Sequence, residues 1–315
     1  MLELELLELS KNIKASPSDN PYDFYYESKK MSEKVSEEIR EKLIHFSKHG
    51  SESGCLLLDG FSTEDVISIK TPEDNNQKIG ETTNLAKIQS ILINVMGEQV
   101  AYEAEGYGRI FQDIIPMKSM EKKQMSVSSG TELEIHTEQA FSKLRPDILS
   151  LACLRGDEQA FTYILPVNYI IENLTEYEIQ LLRKPLWKTS VDLSFKLCGK
   201  EFIEGDIRGP IPIISGPENN PKLVFDQDLM TGINDEAQQM ISKIVNIYYS
   251  KRLKYNLKPG QIIFIDNNRA VHGRSCFTPK YDGYDRFLIR CFSIFDEEKL
   301  TYVDKNSRMI EAIYS

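Results

Sequence analysis

The sequence predicts a mainly β protein with flanking helices, built on an antiparallel barrel or jelly roll. Three features lead there. Short apolar runs bounded by glycine, proline and polar clusters recur through both halves of the chain, as closely connected antiparallel strands require. Helical periodicity is concentrated in the first hundred residues and in insertions between strands. Strand and helix do not alternate regularly, which removes a parallel sheet of crossover units.

Composition narrows the function classes. The 315 residues can bury a large core and nothing in them demands a second domain, so residues 1–315 are expected to form one. A hydrophobic fraction of 41% with 27% charged residues is that of an ordinary soluble globular protein. The net charge of -10, with no concentrated basic stretch, argues against nucleic acid; it reads first as a device for solubility and second as a bias toward cationic ligands. No apolar run approaches the roughly 18 residues needed to cross a bilayer. The N-terminal MLELELLELSKNIKASPSD carries acids among its leucines and no basic region, so it does not read as a secretory leader. Cys55, Cys153, Cys198, Cys276 and Cys291 are scattered and lack CxxC spacing, the usage of reduced thiols in a cytoplasmic protein. A homo-oligomer is compatible with the sequence and has no specific signal in it.

Taken in order, residues 16–23 (SPSDNPYD) form a turn-rich linker after a short N-terminal segment. Over Ser28–Lys48, Met31, Val35, Ile39, Leu43 and Phe46 recur at helical spacing, predicting one amphipathic helix packed on a sheet. Gly54–Asp59 reads as a buried strand, followed by cap character at Ser62 or Thr63. Residues 70–80 form a loop, and Glu81–Met96 returns to helical periodicity through Leu85, Ile88, Ile91 and Leu92. Gly108–Pro116 is an apolar strand interrupted by Gln112 and Asp113, which marks an exposed edge unless Gln112 reaches a ligand. Lys118–Gly130, polar and serine-rich, is expected to be a mobile loop beside the site, where lids act. Leu149–Leu154 and Ala160–Leu165, separated by RGDEQ, have the pattern of a hairpin. Helical character resumes over residues 168–187 and ends at Pro185. Short extended runs follow at Phe195–Leu197, Ile211–Ser215 and Leu223–Phe225. Asp235–Tyr255 is a long helix started by Asn234 or Asp235. Gln261–Ile265 is a strand, and the turn Asp266–Arg269 delivers His272 to another extended segment.

The chemistry centres on TELEIHTEQAF, Thr131–Phe141. Leu133, Ile135 and Thr137 share one parity, and Glu132, Glu134, His136 and Glu138 the other. In a strand His136 and Glu138 would therefore point the same way, close enough to hold one ion. A third ligand falls to His272, because His45 and His49 lie at the end of a helix. Two histidines and a carboxylate leave vacant positions on a metal, the ligand set of non-haem iron(II) oxygenases. The same three suit a zinc hydrolase, and His136 with Glu138 suits a buried hydrogen-bonded pair.

Arg286 and Arg290 share parity with Leu288 on a later strand. Two inward arginines are costly unless they meet anions, either an organic acid gripped bidentately or acids of the protein itself. Thr162 shares parity with Ala160 and Ile164, so it is an inward hydroxyl, either satisfied in the core or binding. Asp226 and Asp228 sit two apart in an extended stretch. They form either a self-repelling pair that a cation relieves or an Asp-capped turn in a solvated loop.

HTE at 136–138, IDNNRAVHGRSCFTPKYDGYDRFLIR at 265–290 and FDQDLMTG at 225–232 together resemble the clavaminate synthase-like iron(II)/2-oxoglutarate dioxygenases. Within that family the chain looks most like the free basic amino acid hydroxylases, over about Gly108–Phe292. The resemblance implies a double-stranded β-helix (jelly roll) core over 108–292, a mostly helical part over 1–100 and a helical insertion at about 235–255. It implies His136, Glu138 and His272 as the iron(II) ligands and catalytic centre. Arg286, supported by Thr162, would hold the distal carboxylate of 2-oxoglutarate. Arg290 would take the substrate α-carboxylate, Gln112 its α-amino group, and Asp226 with Asp228 its cationic side chain. The co-substrates would be 2-oxoglutarate and O2. The substrate would be L-lysine, hydroxylated at carbon 4 in preference to carbon 3, with L-arginine the alternative. Glu138 argues against a halogenase, in which a small residue replaces that ligand. A non-catalytic amino acid binder has no reason to keep the whole set, and a zinc hydrolase leaves both arginines unexplained.

Overall fold

The computed structural model describes residues 2–192 and 207–312. Three helices come first, α1 (Leu2–Ser10), α2 (Pro21–Ser32) and α3 (Glu37–His49), and after one strand comes α4 (Asn84–Met96). Proline at its first position starts α2 inside the stretch expected as linker. The single helix expected over Ser28–Lys48 is thus two. Met31, Val35, Leu43 and Phe46 are all buried as their spacing requires, but the chain leaves helical geometry before Ser36, which is extended and begins α3. Thr83 caps α4 by accepting from Ala86 N.

The strands are β1 (Cys55–Leu58), β2 (Glu98–Tyr102), β3 (Gln112–Ile114), β4 (Leu133–His136), β5 (Ile148–Arg155), β6 (Thr162–Pro166), β7 (Trp187–Ser190), β8 (Ile207–Ile211), β9 (Ile214–Ser215), β10 (Lys222–Leu223), β11 (Met230–Gly232), β12 (Leu253–Tyr255), β13 (Ile262–Asp266), β14 (Ala270–Arg274), β15 (Phe287–Ile294) and β16 (Met309–Ile310). Later helices are α5 (Val167–Ile171), α6 (Glu176–Leu182), α7 (Asp235–Lys251) and α8 (Glu297–Leu300).

One sheet runs β1-β13-β5-β15-β2-β16, with β3 also paired to β15, and a second runs β12-β6-β14-β4. The sequence of β5 explains the layers. Leu149, Leu151 and Cys153 enter a cluster shared with Ile164 of β6 and Ala270 of β14, so the two sheets face each other there. Ile148, Ala152 and Leu154 enter the opposite cluster, where Leu85, Ile88 and Ile91 of α4 pack. With both faces covered, both parities of β5 are mostly apolar, Ser150 being the buried polar exception before the terminal Arg155. On its outer face the second sheet offers Ile135, Tyr163, Leu165 and Val271 to α5, α6 and α7.

Several expectations change here. β5 and β6 are not a hairpin, because β5 lies between β13 and β15 while β6 lies between β12 and β14. The RGDEQ segment therefore crosses from one sheet to the other. Residues 168–187 hold two short helices, the second opened by a capping box of Thr175 and Glu178. The long helix, capped by Asn234, ends at Lys251, and Leu253–Tyr255 pairs with β6 instead. Gln112 and Asp113 are buried, not an exposed edge; the Asp113 carboxylate accepts the backbone N–H groups of Ile79 and Gly80. The run Phe195–Leu197 lies outside the described residues. Among the described residues no helix is long and apolar enough to cross a membrane, and Cys55, Cys153, Cys276 and Cys291 are free.

Gly260, at φ +81, turns the chain into β13, and a Cβ there would overlap the Phe61 carbonyl oxygen. Gly260→Ala is expected to destabilise the protein by about 2 kcal/mol or more, read as a lower Tm in thermal unfolding. An unchanged Tm would show that this approach is not tight.

Candidate active site

A cavity of about 1050 Å³, counted to its open mouth, lies between the sheets, room enough for two small ligands. Into it point His136, at the end of β4, and His272, in the middle of β14. The two are direct register partners, so strand pairing alone sets their rings 4.4 Å apart between centroids. The strand expected to continue through Glu138 stops at His136. Thr137 N–H turns to the Phe225 carbonyl oxygen, and Gln139 takes φ +55. Glu138 is therefore placed by a turn and not by strand alternation. That turn is clamped by Asn267, whose side-chain oxygen accepts from Glu138 N at 2.8 Å and whose amide donates to Glu138 O at 3.1 Å. Ligand atoms of His136, Glu138 and His272 all lie within 4.8 Å of one another.

The state of each donor fits a metal ion. His136 Nδ1 lies 2.8 Å from Glu134 O; a carbonyl only accepts, so Nδ1 carries the proton and Nε2 keeps its lone pair. Burial, and then His136 beside it, push His272 down to about 4, leaving it neutral near pH 7. Burial opposes ionisation of Glu138, but Arg290 and then His272 outweigh it and hold the carboxylate well below its usual range. Its Oε1 accepts from Arg290 at 3.0 Å. Its Oε2 is buried, 3.5 Å from His272 Nε2, and has no hydrogen-bond partner among the described residues. A neutral imidazole, an ionised carboxylate and an orphaned oxygen between them are what a divalent metal needs.

The two arginines divide between the alternatives that their spacing left open. Arg290, the register partner of Gln112, meets acids of the protein itself: it donates to Glu138, to Glu105 and, through Nε at 3.0 Å, to Gln112 Oε1. Arg286 is buried beneath the Phe277 ring, 5.8 Å from its centroid. It has no ion pair among the described residues. Burial pushes its guanidinium down to about 10, so it stays charged. Thr162 is buried and lines the same cavity. Gln112 Nε2 is buried without a partner, and its side chain lies flat against Gly106, at φ +58, where a Cβ would collide with it.

Asp226 and Asp228 both line the cavity. Asp226 also caps a turn, its Oδ1 accepting from Asp228 N at 3.0 Å and Leu229 N at 2.8 Å. Capping and cavity lining are thus compatible, because only one of its oxygens is used. Burial pushes Asp226 up to about 6 against the pull of His136, and burial with Asp192 raises Asp228. The loop expected over 118–130 is folded here, with Met117 N bonded to Val127 O and Gly130 N to Glu121 O. Gln124, Met125 and Ser126 line the cavity from it.

No family model matches the chain. An L-lysine 3-hydroxylase from Catenulispora acidiphila is 46% identical over 246 residues, covering 78% of this chain and 69% of the relative. The chain belongs to the clavaminate synthase-like iron(II)/2-oxoglutarate-dependent amino acid hydroxylases. Clavaminate synthase 2 from Streptomyces clavuligerus is 28% identical over 291 residues, 91% of this chain and 88% of that one. The hydroxylase shares its fold with asparagine oxygenase, solved with Fe(II), 3-hydroxyasparagine and succinate, at a TM-score of 0.88 and 24% identity over 98% of this chain and 95% of that one. As a member of this family it is a dioxygenase that uses iron, 2-oxoglutarate and O2 to hydroxylate an amino acid.

Sequence reading missed two parts of the hydroxylase's site. Glu105 is a buried acid bonded to Arg290 and to Gln139 Nε2, the latter at 2.7 Å. Burial pushes it up to about 8 against the pull of Arg290, with Glu138 repelling it. Nothing in VAYEAEGYG distinguishes it from surface acids. Asn267 read as a turn residue, yet it ties the early ligand to the late one. Asn267→Leu is expected to weaken metal binding about 10- to 100-fold, measured by metal titration, and an unchanged affinity would show the clamp to be idle.

Proposed function

We propose that the hydroxylase acts on free L-lysine, at carbon 3. The observation that carries this reading is the 46% identity to a protein named L-lysine 3-hydroxylase, and it replaces the carbon-4 preference drawn from sequence resemblance. In this reading the facing sheets are the double-stranded β-helix, residues 1–315 are one catalytic domain, and the protein works in the cytoplasm.

His136, Glu138 and His272 hold iron(II), which when bound supplies the oxidising chemistry at the C–H bond. The other residues position. Arg286, with Thr162, grips the distal carboxylate of 2-oxoglutarate, since it is a buried cation on the cavity wall that the described residues leave without an acid. Arg290 takes the α-carboxylate of lysine and Glu105 accepts from its α-ammonium, while Gln112, whose Oε1 accepts from Arg290, holds that guanidinium in place rather than meeting the ammonium. Asp226 and Asp228 receive the ε-ammonium, whose charge offsets the burial, and after it the nearby Asp192, that raise both carboxyls. Fixing both ends of the substrate decides which carbon faces the metal.

Incubation with L-lysine or L-arginine, iron(II), ascorbate and 2-oxoglutarate tests the reading by mass and NMR. Lysine-dependent succinate and a hydroxyl on carbon 3 are expected. Hydroxylation at carbon 4 would overturn the regiochemistry, and preference for arginine would overturn the substrate. Asp228→Asn is expected to raise KM for lysine about tenfold or more with a smaller change in kcat, as loss of a charge-assisted bond implies; steady-state kinetics with unchanged KM would remove Asp228 from side-chain recognition.

A further inference from the structure

Beside Arg286 and Arg290 the cavity holds a third buried guanidinium, on Arg274, two residues beyond His272. Like Arg286, it has no carboxylate partner among the described residues. Both guanidiniums lie on one ring, that of Phe277, at 5.2 Å for Arg274 and 5.8 Å for Arg286. Arg274 also faces Thr162 across the β14–β6 ladder. Its hydrogen bonds go instead to neutral atoms of one segment: the carbonyl oxygen of Ser128, the Ser128 hydroxyl at 2.9 Å and the Thr131 carbonyl oxygen at 3.1 Å. Its Nε is buried and has no partner among the described residues.

Two like charges held together without an anion are costly, and each raises the cost of the other. An incoming carboxylate removes that cost. The segment that Arg274 grips is also the one that brings Gln124, Met125 and Ser126 to the cavity wall. Gln124 holds the start of β4, donating to Glu132 O and accepting from Glu134 N, both at 3.1 Å. Phe277 N bonds Ser129 O at 2.9 Å, so the shared ring is tied to the same segment. Whatever fixes the Arg274 and Arg286 guanidiniums therefore also fixes residues 121–131.

We propose that Arg274 is a positioning residue that relays occupancy of the dicarboxylate subsite to the 121–131 segment, so that this wall of the amino acid pocket becomes rigid once 2-oxoglutarate is bound. The inference rests on the reading of Arg286 as the anchor of that co-substrate. An arginine is required at 274 because three bonds to two residues need a guanidinium fork, which the point charge of a lysine does not reproduce.

Lys122 and Lys123 are exposed in this segment and make it readable with trypsin. The wild-type protein loaded with Mn(II), which binds without supporting turnover, is digested with and without 2-oxoglutarate, and cleavage after Lys122 and Lys123 is timed. 2-Oxoglutarate is expected to slow cleavage about tenfold, within the usual range of coupling between sites. In Arg274→Lys, which keeps the charge, that ratio should fall to about one while calorimetry still detects 2-oxoglutarate binding. A merely structural arginine would change both digestion rates and leave their ratio alone. Ser128→Ala removes only one acceptor and serves if Arg274→Lys does not fold; it should reduce the protection. If the wild type fails to bind 2-oxoglutarate, the reading of Arg286 falls. If 2-oxoglutarate binds but gives no protection, or protects the variants equally, the relay through Arg274 is overturned.

Discussion

His272→Ala is expected to abolish both iron binding and hydroxylation. His272 and His136 face each other as a register pair across β14 and β4, so the substitution removes one donor without moving the strand that carries the other. The remaining imidazole and Glu138 are two ligands on neighbouring positions, too few to retain a divalent ion against buffer. Metal affinity should fall by more than about 100-fold, a modest share of the binding energy that a full ligand set provides. Metal titration followed by a turnover assay checks this, with circular dichroism showing that the sheets remain. His45 and His49 provide the control: they lie on α3 and are exposed, so their replacement should change neither quantity. A His272→Ala protein that keeps stoichiometric iron would remove the triad as the metal site.

The legible parts of this site are those in which spacing and chemistry are local. HTE and VHG carry their donors within a few residues, and Arg286 and Arg290 both line the cavity as expected, although Arg286 lies just before the strand that begins at Phe287 and the register shifts there. The reason offered for His136 and Glu138 was nevertheless wrong, because β4 stops at His136 and a turn held by Asn267 supplies the second donor. That clamp joins positions 129 apart, a separation at which spacing carries no signal. The same limit explains the false hairpin. Apolar runs report that β5 and β6 are buried, not which strand each one pairs with. It also explains the single helix expected over Ser28–Lys48. Met31 and Val35 pack in the same cluster as Leu43 and Phe46, so the periodicity survives a break that the backbone makes between them. Gln112 looked exposed because a polar pair at an edge ordinarily is; here the Ile79–Gly80 backbone covers β3 and binds Asp113.

The two site arginines should respond to substitution in opposite senses, and this separates a ligand anchor from a structural ion pair. Arg286→Met removes a buried cation that the described residues leave unpaired, so the ligand-free protein should gain about 1–3 kcal/mol, seen as a raised Tm. Affinity for 2-oxoglutarate should at the same time fall about 100-fold, the loss of a bidentate charge-assisted grip, while iron binding is preserved. Arg290→Met has the reverse signature in the absence of ligand. It strips Glu105 and Glu138 of their shared partner, leaving buried carboxylates to repel each other, and stability should fall by about 3–5 kcal/mol, seen as a lowered Tm. Without that guanidinium the chief influence holding Glu138 ionised is gone, so iron binding should also weaken as pH falls. Thermal unfolding without ligand and calorimetry with 2-oxoglutarate measure both signs. If Arg286→Met lowers Tm as Arg290→Met does, then Arg286 is held by the protein after all and the anchor for 2-oxoglutarate lies elsewhere in the cavity.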